Sequence, residues 1–170
     1  MYFIYNTIIN LFLLISPLFI FFRIIKGKED SKRYKEKFGI YPKKNNLKSI
    51  WFHTASVGEL MSVIPLIKKL EKSKKILQII VTTSTTSSAG ILKKLKFKKT
   101  IHIYYPYDSN FLTNKFIKIW RPQVAIFVDS EIWPNMIRNL EKNQIPIILL
   151  NARFTSSSFK KWLIVKSFAK

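Results

Sequence analysis

Thirty lysines and arginines outnumber nine aspartates and glutamates in this 170-residue chain, so a carboxylate placed where a strand becomes a helix is a candidate for chemistry. Glu59 is the first of these. It closes the run His53-Thr54-Ala55-Ser56-Val57-Gly58-Glu59, between a β-branched apolar stretch and an amphipathic one. Asp129 and Glu131 stand at the corresponding turn further on, and Asp108 follows a third strand-like stretch. A carboxylate in such a turn can take the proton of a hydroxyl being activated as a nucleophile. Each also has a local reading: Asp129 or Glu131 caps the next helix, or Glu59 complements a helix N-terminus. Taken singly, the local readings are the stronger. Four of nine acids at strand exits are better explained by a shared site.

Other side chains at these turns suit an anion. Ser56 and Gly58 open a helix, where backbone N–H groups can face a phosphate or carboxylate. The hydroxyl-rich run from Thr82 to Ser88, with Thr85 and Ser87 as its candidate contacts, could form a second cradle. Hydroxyls in turns more often cap helices. There is no GxGxxG and no Walker loop, so a dinucleotide or P-loop function has little support. Without cysteine there is no disulfide, thiolate zinc site or cysteine nucleophile. Two histidines, His53 and His102, are too few for a histidine-rich metal site, and no metal or cofactor is expected. His53 falls inside a strand and reads as a packed residue rather than a ligand. The four tryptophans, Trp51, Trp120, Trp133 and Trp162, read as core or membrane-surface packing.

From Ser49 onward the chain alternates short apolar strands with amphipathic helices. SIWFHTA, LQIIVTT, IHIYYP, QVAIFVD and IPIILLN read as five strands. VGELMSVIPLIKKLEK, SSAGILKKLKFKK, NFLTNKFIKIW and PNMIRNLEKN read as the intervening helices, with Pro134 suited to a first helical turn. β-branched apolar strands alternating with helices predict an α/β, Rossmann-like parallel sheet with helices on both faces. Ligands bind such sheets beyond the carboxyl ends of the strands, where the strand order reverses. In the order 3-2-1-4-5, the exits carrying Glu59 and Asp129/Glu131 are neighbours.

Residues 1–22 carry no charged side chain. As a helix they would extend about 33 Å, close to the thickness of a bilayer's hydrocarbon core. The Arg and Lys residues that follow predict a cytoplasmic location for the rest of the chain. Asn6, Asn10 and Pro17 leave two arrangements open, a span and a half-buried monotopic helix. The predicted organisation is an anchor helix over 1–26, a basic membrane-proximal segment over 27–48, and a Rossmann-like domain over 49–170. A net charge of +21 favours anionic partners, acidic lipids among them. Lysine-rich composition alone gives the same number, and no nucleic-acid motif accompanies it.

Five ordered motifs are more specific: HTASVGE (53–59), VTTSTTSSAG (81–90), YYPYD (104–108), DSEIWPN (129–135) and NARFTSSS (151–158). With the apolar and basic segments before them, they resemble the amino-terminal half of bacterial 3-deoxy-D-manno-octulosonic acid (Kdo) transferases, over essentially the whole chain. The resemblance implies a two-domain GT-B glycosyltransferase at the inner membrane. Such an enzyme moves Kdo from CMP-Kdo to a lipid A precursor, with inversion and without a tightly bound metal. It implies that Glu59 is the general base. Asp129 stands where the family usually has glutamate, one methylene shorter, while Glu131 matches. The family's TPTG stretch is met in part by Thr86-Ser87-Ser88, without the glycine. Arg153 matches a family arginine that could contact an acidic sugar or phosphate.

A GT-B enzyme binds its nucleotide mainly through a carboxyl-terminal domain. The resemblance therefore implies that the CMP-Kdo domain lies outside these 170 residues, and that this chain alone does not transfer Kdo. The alternative is a non-catalytic membrane-attached fragment or lipid-binding module.

Overall fold

The computed structural model describes residues 2–41, 47–129 and 131–151. Helix α1 (Tyr2–Ile25) comes first, then a 3-10 turn (Tyr34–Phe38). Five strands and four helices then alternate: β1 (Ser49–Thr54), α2 (Val57–Glu71), β2 (Gln78–Thr83), α3 (Thr86–Leu95), β3 (Thr100–Tyr104), α4 (Asn110–Trp120), β4 (Pro122–Val128), α5 (Pro134–Lys142) and β5 (Ile147–Leu150). The strands form one parallel sheet, as expected, and their order is β3-β2-β1-β4-β5, the one that makes the exits of β1 and β4 neighbours.

The strand sequences sort their side chains by the twofold alternation of a pleat. On one face Trp51, Ile80, Ile103 and Phe127 pack with Phe116 and Trp120 of α4 and Met136 and Leu140 of α5. On the other, Phe52, Ile79, Val81 and Ile126 pack with Leu60, Ile64 and Ile67 of α2 and Leu92 of α3. Both faces are covered, which is why the strands read as unbroken apolar runs. Trp51 is fully buried beneath α4, and its truncation to alanine should cost about 3–5 kcal/mol.

Helix starts follow from side-chain caps. Ser56, Thr85 and Ser109 accept the backbone N–H of Glu59, Ser88 and Leu112, satisfying donors that no helical carbonyl can reach. Helices α3 and α4 stop at Lys96 and Arg121, both in the left-handed region at φ 49° and 45°.

The two edges of the sheet are treated differently. Along β3, the guanidinium of Arg33 donates to the carbonyl of His102, and the carboxylate of Glu36 accepts the N–H of Tyr104. Arg33 and Glu36 also bind each other through two hydrogen bonds, at 2.8 and 3.0 Å. Residues 29–41, expected as part of a basic membrane-proximal segment, thus include a turn that seals the β3 edge. On the other side, Ile147, Ile148 and Leu149 of β5 are exposed, and no described residue pairs with the outer side of β5.

Candidate active site

The strand order places the exits of β1 and β4 side by side at the reversal point, and their carboxylates meet there. Glu59 lies in the first turn of α2 and is half-buried. Its Oε2 accepts the N–H of Ala55 at 2.7 Å, while its own N–H is taken by the Ser56 hydroxyl. This reciprocal pattern is a capping box, displaced by one residue on the carboxylate side. It fixes the side chain over the β1–α2 turn and leaves Oε1 for other partners.

Glu131 follows β4. Its Oε2 accepts the indole N–H of Trp133 at 2.9 Å. Its pKa is raised, first by burial and then by the negative charge of Glu59; Asp129 adds a smaller effect in the same direction, and the Trp133 bond opposes them. Glu131 is therefore near enough to feel both other acids, which the sequence alone could only suggest. Asp129 itself sits at φ 63°, a left-handed conformation that turns the chain sharply away from the sheet.

His53 lies beneath Glu131. It is fully buried, as expected for a packed strand residue, but its ring does more than fill space. The Trp51 indole N–H donates to the Thr82 hydroxyl at 2.9 Å, and the same hydroxyl lies 2.9 Å from His53 Nδ1. The hydroxyl proton can go to Nδ1 or to the Phe52 carbonyl at 3.4 Å, and the shorter contact favours Nδ1. Nε2 then carries the imidazole hydrogen, 3.9 Å from Glu131 Oε2. Burial pushes the His53 pKa down to about 3, so the ring is neutral at physiological pH. The contact is a neutral N–H facing a carboxylate, not an ion pair.

Polar atoms without protein partners gather at this spot. His53 Nε2 and the Tyr105 hydroxyl are buried and unpaired, and the two rings lie 3.9 Å apart. Buried polar groups are normally satisfied, so such a gathering marks a site rather than a core. His53, Thr82 and Tyr105 were not legible as one unit in sequence. The first two are 29 residues apart and meet only because β1 and β2 pair in register.

Asp108 corrects the expectation that four strand-exit acids share one site. It is 2 % exposed and fully engaged elsewhere. Its oxygens accept the N–H of Asn135 at 3.0 Å, the N–H of Met136 at 2.8 Å and the Tyr5 hydroxyl at 2.7 Å. It caps α5 from 27 residues away. The cap expected from Asp129 or Glu131 is supplied by Asp108, while Trp133 at the N-cap position makes no side-chain cap bond.

The hydroxyl run resolves largely into structure. Thr85 caps α3 and also donates to the Ser88 hydroxyl at 2.8 Å, while Ser87 is exposed in the first turn. Gly58 is exposed in the first turn of α2 beside the Ser56 cap. Arg153 and Trp162 lie outside the described residues. Among the described residues no group of three or more His, Asp and Glu side chains could hold a metal ion. A cavity of about 690 Å³ lies away from Glu59, Asp129 and Glu131. It lies between the 3-10 turn, α3 and β3, lined by Arg33, Lys93 and Tyr104.

A five-stranded parallel sheet in the order β3-β2-β1-β4-β5, with helices on both faces and carboxylates near the point where the order reverses, defines a Rossmann-like α/β domain. The family model described as 3-Deoxy-D-manno-octulosonic-acid transferase (kdotransferase) matches residues 32–170. The chain belongs to the Kdo transferase family. It is similar to the 3-deoxy-D-manno-octulosonic acid transferase of Rickettsia bellii, with 38% identity over 94% of this chain and 40% of the relative. The corresponding protein of Haemophilus influenzae is 30% identical over 93% of this chain and 38% of its own length. A probable mitochondrial 3-deoxy-D-manno-octulosonic acid transferase of Arabidopsis thaliana is 35% identical, over 87% of this chain and 34% of the relative. The chain thus spans about 40% of the length of the first of these.

Proposed function

We propose that this chain is the acceptor-side half of a Kdo transferase, working at the cytoplasmic face of the inner membrane. The reaction is transfer of Kdo from CMP-Kdo to a lipid A precursor, with inversion at the anomeric carbon. Glu59 acts as general base. A sugar hydroxyl of the acceptor passes its proton to the carboxylate, through the oxygen that the cap leaves open, as its own oxygen bonds to the anomeric carbon. The bond from that carbon to the CMP phosphate oxygen breaks, and CMP leaves with the electron pair. The single observation that carries this reading is the meeting of Glu59, Asp129 and Glu131 at the reversal point of a chain with net charge +21.

Glu131 lies near enough to Glu59 and Asp129 for their charges to raise its pKa, so the base shares its site with two further carboxylates. Ser56, Gly58, Thr85, Ser87 and Arg153 are the proposed contacts to acceptor phosphate or to the acidic sugar. CMP-Kdo is held mainly by a donor-binding domain beyond these residues. The positive charge of the chain favours both the phosphorylated acceptor and acidic lipids of the membrane surface. No cofactor is required by this chemistry.

A second reading, a non-catalytic lipid-binding module, is favoured by one observation: the hydrogen bond from Ala55 already gives the Glu59 carboxylate a structural purpose. One substitution separates the two. Glutamine serves a capping box as glutamate does, but cannot take a proton. In enzyme reconstituted by joining this chain to a relative's donor domain, Glu59→Gln should leave the melting temperature unchanged and lower turnover by about 10²–10⁴-fold. Full turnover in the variant would remove Glu59 from the base role.

A further inference from the structure

Helix α1 is 24 residues long, with a mean hydropathy of 2.4 over its most apolar window, of which only 11% is buried in the protein. Length and composition suit a bilayer but do not say how the helix lies in it. The contacts along α1 do. Its buried or half-buried positions include Tyr2, Tyr5, Ile9, Phe12, Ser16, Ile20 and Arg23. Steps of three and four residues make one continuous stripe along the helix.

That stripe is fastened to the domain from end to end. At the amino-terminal end the Tyr2 hydroxyl donates to Asn135 Oδ1 at 2.6 Å, and the Tyr5 hydroxyl donates to Asp108 at 2.7 Å. The Arg138 guanidinium lies 4.2 Å from the Tyr2 ring centre. At mid-length Phe12 meets the ring of Tyr107 edge-on, at 5.5 Å. At the other end Arg23 pairs with the buried Glu29 at 3.1 Å. The opposite face is apolar and exposed: Phe3 at 82%, Leu14 at 78% and Ile25 at 65%.

A span and this docking exclude each other. A helix of 24 residues is about 36 Å long, so crossing would separate its ends by roughly the thickness of the hydrocarbon core. Asp108 and Arg138, which touch the amino-terminal end, would then have to follow it into the bilayer while Glu29 stays behind with Arg23, at several kcal/mol or more for each charge in lipid. Lying flat, the helix keeps every contact and still buries its apolar face.

We propose that α1 lies in the plane of the bilayer as a monotopic float, clamped between the acyl chains and the sheet domain, with both ends on the side of the candidate site. The proposal deepens the membrane association put forward above and is independent of which sugar is transferred. Its amino-terminal end rests on Asp108 and Asn135, next to the strand exits, so the lipid surface is brought to the mouth of the carboxylate site.

Because the chain has no cysteine, single cysteines report without background. Ile4, Leu11, Leu18 and Ile25 lie seven residues apart on the exposed face, at 60%, 59%, 61% and 65% exposure, so substitution there disturbs no packing. Each is changed to cysteine in the full-length protein and given a nitroxide. The protein is bound to phosphatidylethanolamine–phosphatidylglycerol vesicles, and depth is read from collisions with oxygen and with a water-soluble nickel chelate. A flat helix gives four depths within about 5 Å of one another, since each seven-residue step of about 10.5 Å runs parallel to the surface. Leu11 and Leu18 deeper than Ile4 and Ile25 by about 10 Å would overturn the proposal. So would four positions equally open to the nickel chelate, which would also remove the membrane association; loss of sugar transfer with four equal depths would not.

Discussion

Two strand exits carry the same kind of residue and use it in opposite ways. At the end of β3, Asp108 accepts three hydrogen bonds and is sealed from solvent, holding α5, the β3 exit and α1 together. At the ends of β1 and β4, Glu59 and Glu131 each accept one N–H, from the Ala55 backbone and from the Trp133 indole, and burial and the charge of Glu59 raise the pKa of Glu131. Below Glu131 lie a neutral histidine and, against its ring, a tyrosine whose buried hydroxyl has no partner. Position in the fold is therefore not what makes a carboxylate functional. The satisfied one is architecture; the under-satisfied ones leave capacity for a substrate.

The contrast yields a graded set of tests. Asp108→Ala should have the largest effect on stability. It strands two N–H groups of α5 and the Tyr5 hydroxyl, at a cost of about 3 kcal/mol, visible as a lower urea midpoint. A loss under 1 kcal/mol would put Asp108 back among the free carboxylates.

His53 comes next. Its pKa is pushed down to about 3, from 6.5 in the unfolded chain. The stability it contributes is complete above pH 6.5 and is lost as pH falls through the interval down to the folded value. Between pH 7 and pH 5 the loss from this residue is about 2 kcal/mol. Urea midpoints at the two pH values should differ less in His53→Gln than in the native protein. An equal difference in both would show that this ring does not titrate on unfolding.

Glu131→Gln should have the smallest effect and the opposite sign. Its pKa is raised on folding, so folding is favoured while the carboxyl is protonated, and that advantage is lost as pH rises through the folded value. Removing the charge should stabilise the protein by about 0.5–1 kcal/mol at pH 7, a size usual for functional residues held at some cost. The gain should vanish below about pH 4.5. A destabilised variant at pH 7 would mean that Glu131, like Asp108, is architectural.

Much of this was readable before the structure. The five strands follow from apolar runs buried on both faces, and each helix begins near its hydroxyl or proline signal; the order of the strands does not follow from those runs and entered only as a condition. Glu59 could be singled out because its neighbours in sequence, Ser56 and Gly58, are also its neighbours in space. Asp108 could not be separated from the catalytic candidates. Its partners at Asn135 and Met136 are 27 and 28 residues away, and nothing local announces them. His53 was correctly read as packed, yet its relation to Glu131 depends on β1 lying beside β4, a contact across 78 residues. The docked stripe on α1 was hidden for another reason: its buried positions are nearly as apolar as its exposed ones, so periodicity gives little contrast.

The unequal edges of the sheet carry one further consequence. Arg33 and Glu36 occupy the outer backbone groups of β3 much as a sixth strand would, so nothing can add there. β5 shows its outer rim and its leucine and isoleucine side chains, with no described neighbour on that side. Such a sheet can be extended from one side only. Among the described residues, then, a further strand can be added only beside β5, the side on which the chain runs on past Leu150.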